Sequence, residues 1–125
     1  MATQTTVRRS HSFLRIALTL QTLTILAQAV SAGLLLSTSY GETVHGVGAR
    51  VMYAASMLYV LAAVLAWKPG GGPTRPIGEA LGFLLLASAQ VVLGIAHVPA
   101  VHLPLGVLMF GLSLLALSRR PRTGD

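Results

Sequence analysis

The sequence predicts an all-α integral membrane protein, a single domain over residues 1–125 in which four transmembrane helices form an up-down-up-down bundle. Three observations predict it. Apolar residues make up 54% of the 125-residue chain and charged residues 10%, with a mean hydropathy of +0.73. A soluble domain carries roughly 25% charged residues, so the polar surface needed to face water is missing. The apolar residues also gather into four runs near the roughly 20 residues that cross a hydrocarbon core. Finally, the basic residues behind the net charge of +6 sit in short clusters at the ends of those runs. That is the arrangement of topology determinants, and not the single basic face of a nucleic-acid binder. Cysteine is absent, which excludes disulfides, thiolate metal sites and thiol nucleophiles.

The first span is expected at about 16–37 and the second at about 47–67. Between them, STSYGETVHG reads as a polar loop. The string KPGGGPTRP at 68–76 cannot continue a helix and separates the second span from a third at about 77–98. A very short turn centred on Pro99 and Ala100 leads to the fourth, at about 101–118. Connections this tight make neighbouring helices antiparallel.

An even number of crossings puts Arg8, Arg9, Arg15, Lys68, Arg75, Arg119, Arg120 and Arg122 on one side and leaves Arg50 alone near the other. The positive-inside rule then predicts a multi-pass protein of the cell membrane with both termini cytoplasmic. A competing pattern is a signal peptide, from the early arginines and Ala27-Gln28-Ala29 as a small-residue cleavage site. Apolar sequence continues past that point to Leu36, which suits a span better.

The two halves of the chain resemble each other. Ala27-Gln28 in the first span corresponds to Ala89-Gln90 in the third, and Val44-His45 at the second corresponds to Val101-His102 at the fourth. Counting on from each histidine, Ala49 and Gly106 follow after four residues, Met52 and Met109 after seven, and Ser56 and Ser113 after eleven. Those offsets share one stripe of a helix. Each half would therefore present a face reading His, small, Met, Ser from the outer surface inward. Two such hairpins would be related by a pseudo-twofold axis along the membrane normal. Chance matching in a restricted alphabet and helix packing by small residues are the plain alternative, although the chain has only four histidines.

Ionisable residues at membrane depth mark functional sites. Two neutral imidazoles at one depth across a bundle are the axial ligand set of a six-coordinate b-type haem, so His45 and His102 are the candidate ligands. Ala49 and Gly106 would leave room for the macrocycle and Met52 and Met109 would pack on it. Arg50 would pair with a propionate or else with Glu42. Zinc would need further ligands, and only His97 and Glu42 are near. The plain reading of both candidate histidines, and the preferred one for His97, is interfacial capping of helix ends. His11 carries no signal. Gln21, Gln28 and Gln90 are expected to hydrogen-bond between helices, and Glu79 to form an ion pair near Lys68 and Arg75. No carboxylate pair, nucleophile–base set or phosphate loop points to an enzyme.

Gln90 with Leu93-Gly94, His45 opening the second helix and Val101-His102 opening the fourth resemble one four-helix half of the heme A synthase family. The likeness runs over about residues 20–118 in short motifs. It implies a bundle with histidines on its second and fourth helices near the outer face. The chain departs from that family where Gly46, not arginine, follows His45, and where only Glu42 offers an acidic residue. A single bundle cannot hold a substrate haem beside a second haem, so oxidation of a haem methyl group is not expected. The leading expectation is a haem b protein serving electron transfer or haem handling, working with a membrane redox partner or through self-association. The rival is a cofactor-free accessory subunit of a membrane complex. A small transporter would need more polar residues at its midplane than the spans supply.

Overall fold

The computed structural model describes residues 2–120, with the side chains of residues 2–4 and 6–8 set aside. Arg122 and the side chain of Arg8, both used above to orient the chain, lie outside the described part. The fold is all-helical: α1 (Ala2–Ser37), α2 (Gly41–Trp67), α3 (Arg75–Ile95) and α4 (Pro99–Ser118). All four are long and apolar enough to cross a membrane. α1 packs on α2 and α4, and α3 packs on the same two, so the helices form a ring of four with two diagonals, α1 to α3 and α2 to α4. Hydrogen bonds between Ser31 and His45, Tyr53 and Ser88, Gln90 and His102, and Thr22 and Ser113 pair early residues of one helix with late residues of its neighbour. Each packed pair is therefore antiparallel. One end of the bundle carries the α1–α2 and α3–α4 turns (the turn end), and the other carries the α2–α3 loop.

The helix limits differ from those expected in instructive ways. α1 begins well before its apolar run because neither glycine nor proline interrupts the chain until Gly33. The expected polar loop at 38–46 shrinks to a three-residue turn, since Gly41 already opens α2. There the chain doubles back so closely that a Cβ on Gly41 would fall on the Leu34 carbonyl and the Leu35 backbone. Glu42 stands in the first turn of α2, where the helix dipole favours a carboxylate. α3 stops at Ile95 because His97 adopts a left-handed φ of 52° and the Val98 N–H returns to the Leu93 carbonyl at 3.0 Å, a Schellman-type ending. Pro99 starts α4, where a missing N–H costs nothing.

Small residues let the helices close. Ala17, Ala62, Ala63, Ala80 and Ala87 are fully buried, while Leu36, Leu85, Ile95 and Val107 are largely exposed. Many large apolar groups thus face outward, while the interior mixes small residues with Leu14, Leu18, Tyr59, Phe83 and Met109. Gly41→Ala is expected to lower the melting temperature in detergent, because its methyl group meets backbone that cannot swing aside. Overpacking of this kind costs about 1–3 kcal/mol, and a melt unchanged from wild type would refute the close-approach argument.

At the loop end, Glu79 does form an ion pair with Arg75, at 3.0 Å, but its second partner is Arg120 and not Lys68. The Lys68 ammonium instead lies 4.8 Å from the ring centre of Trp67. Their distance along α4 and the loop hid Arg120 from a reading by sequence neighbourhood.

Candidate functional site

The turn end holds a layer of polar side chains drawn from all four helices. His45 lies in the second turn of α2 and His102 in the first turn of α4. Their rings meet across a diagonal of the bundle, with centres 6.2 Å apart and planes at 70°. The early start of α2 moves His45 one turn inside the helix it was expected to open.

Each ring is held at the same nitrogen. Ser31 Oγ lies 3.0 Å from the Gln28 carbonyl and 2.8 Å from His45 Nδ1, and its single proton goes to one of the two. His102 Nδ1 lies 3.1 Å from the Gln90 carbonyl. A carbonyl only accepts, so Nδ1 carries the proton in His102. His102 is then an Nδ1–H tautomer whose Nε2 carries a free lone pair, and His45 takes the same form when Ser31 donates to the Gln28 carbonyl. Neither Nε2 forms a hydrogen bond among the described residues.

Two glutamines complete the layer. Gln28 of α1 lies over Gly48, where a Cβ would collide with its amide nitrogen, and Gln90 of α3 lies over Gly106 with its Nε2 2.8 Å from an added Cβ. Each half of the chain thus supplies a histidine, a glutamine from the preceding helix and a glycine that makes room for the amide. Gln28 Nε2 and Gln90 Oε1 are buried without a hydrogen-bond partner, so both amides retain capacity for a further contact. Beneath this layer Met52 and Met109 are buried together with Ile25 and Ala87.

The other residues singled out in the sequence are placed as follows. Ala49 is half-buried beside Gly48. Arg50 is exposed, and its position five residues after His45 turns it roughly 140° round the helix. No ion pair joins it to Glu42 among the described residues. His97 is exposed in the α3–α4 turn, and His11 is exposed on α1 towards the loop end. No group of three or more His, Asp or Glu gathers among the described residues, so the donor set of a tetrahedral zinc site is not assembled here. Ser31 and the main-chain carbonyl of Gln90 were not legible as site groups. A serine fourteen residues before the histidine carries no spacing signal, and a carbonyl carries no residue-type signal at all.

No protein-family model, curated protein or solved structure matches the chain.

Proposed function

We propose that the chain spans the cell membrane with both termini cytoplasmic, and that the histidine layer holds a b-type haem near the outer face for electron transfer or haem handling. Support for insertion comes from the four apolar helices and the outward-facing large side chains. The basic residues clustered at the loop end and beside the chain termini support the orientation.

One observation carries the haem reading: two imidazoles face each other from diagonal helices, each with Nδ1 held by an oxygen group and Nε2 left as a ligand. Bound histidines almost always donate their second nitrogen in this way, which fixes the ring and raises its basicity. His45 and His102, with ring centres 6.2 Å apart, would hold the group between them. Ser31 and the Gln90 carbonyl orient the ligands, Gly48 and Gly106 make room for the Gln28 and Gln90 amides beside the pair, and Met52 and Met109 form an apolar floor. Gln28 and Gln90 have amide atoms available to a bound group. When bound, the haem supplies a one-electron ferric–ferrous couple. Arg50 is exposed and would pair with a propionate only from the edge of the layer, and the reading does not depend on it. The resemblance to half of the heme A synthase family points the same way.

The test is an ultraviolet–visible spectrum of the detergent-purified protein, oxidised and then dithionite-reduced. A sharp Soret shift with resolved alpha and beta bands on reduction is expected. No Soret band, even with haem supplied during expression, would sink the reading and leave the accessory-subunit role.

A further inference from the structure

Two helical turns from the histidine layer, the bundle holds a second polar layer that the proposed haem site does not use. Gln21 lies seven residues before Gln28 on α1, about 10 Å along the axis. It is fully buried, and neither its Nε2 nor its Oε1 has a hydrogen-bond partner. The helix pairings that set Ser31 beside His45 and Thr22 beside Ser113 bring Ser56 and Ser113 to the same depth, and both are fully buried. Thr22 and Ser113 hydrogen-bond to each other, and Ser56 returns its proton to the Met52 carbonyl at 3.1 Å. The hydroxyls are thus satisfied as donors yet keep acceptor capacity. The Gln21 amide, with two donor hydrogens and an acceptor oxygen, makes no hydrogen bond among the described residues.

We propose that this layer is a binding site for internal water, with Gln21 as its principal ligand and the hydroxyls of Thr22, Ser56 and Ser113 as its walls. A buried amide left bare loses its hydration with nothing in exchange, whereas a water with two to four polar partners is a stable part of a protein interior. The layer supplies that number of partners. Met52 and Met109 separate it from the histidines, so it is a distinct site and stands whether or not haem binds. It places mobile dipoles at mid-depth of a bundle whose other interior groups are mostly alanine.

The test uses the full chain in detergent micelles with ¹⁵N-labelled glutamine. Gln21 is assigned by the signals lost in Gln21→Leu, or by those lost in Gln21→Asn should the leucine variant misfold. Water-to-amide cross-relaxation is then measured at mixing times too short for relay through neighbouring hydroxyls. A direct cross-peak between water and the Gln21 side-chain amide is expected, with and without added haem. A Gln21 amide that shows cross-peaks to aliphatic protons and none to water overturns the proposal. The Soret test reads the histidine layer alone, so the two can fail separately.

Discussion

His102→Ala is expected to abolish the six-coordinate low-spin spectrum, and His45→Ala to do the same. On the proposed haem reading, each variant would remove one of the two nitrogens that would hold the group, and a broadened Soret band with weak visible bands is expected. The two effects should be of similar size, because each ring is held through Nδ1 by a single partner. Ser31→Ala should leave both ligands in place and free the His45 ring to turn. Losing an orienting partner of this kind typically lowers affinity about 10- to 100-fold, far less than losing the ligand. If the pair holds haem, His102→Met is expected to raise the reduction potential, as Met/His ligation does in cytochromes c. A normal low-spin spectrum in both alanine variants would exclude the pair as ligands, whatever their mutual geometry.

The sequence shows the parts of this site unequally, and the reason is physical. Spacing along one helix is legible, so the stripe of His45, Met52 and Ser56 and its counterpart of His102, Met109 and Ser113 could be read in advance. All four non-histidine members are buried. What depends on contact between helices was not legible. The lodging of Gln28 on Gly48 comes from the close packing of α1 and α2, which no offset within either helix encodes. The small residue expected to face the pair on α2 was Ala49, and the glycine one position earlier receives the glutamine amide. Helix ends fared similarly. The KPGGGPTRP break between α2 and α3 is written in residue types, whereas the early start of α2 depends on Gly41 meeting the backbone of α1. The buried state of Gln21 was expected, but pairing with another helix was expected too, and its amide makes no hydrogen bond among the described residues.

Arg120 is where the loop end of the bundle is tied, and its removal is expected to have a different cost from the removal of its partner. Its guanidinium bonds the Glu79 carboxylate of α3 and reaches the Tyr59 hydroxyl of α2 at 3.5 Å, while its carbonyl accepts from Arg15 of α1 at 3.4 Å. One residue just beyond α4 thus contacts the three other helices. The Arg120 and Glu79 side chains are only 19% and 24% exposed, so water screens them incompletely. Glu79→Leu would leave the guanidinium with Tyr59 alone, its Nε lacking a partner among the described residues, and for a partly buried pair a loss of about 2 kcal/mol is expected. Arg120→Leu leaves Glu79 with Arg75, whose side chain is 69% exposed and able to follow the carboxylate, so a loss of about 1 kcal/mol is expected. The double variant strands no charge and should be more stable than Glu79→Leu alone. Melting temperatures of the four proteins in one detergent give the cycle. Additive losses, with the double variant the least stable, would show that the two charges act independently and that the helices are held at this end by apolar packing around Tyr59 alone.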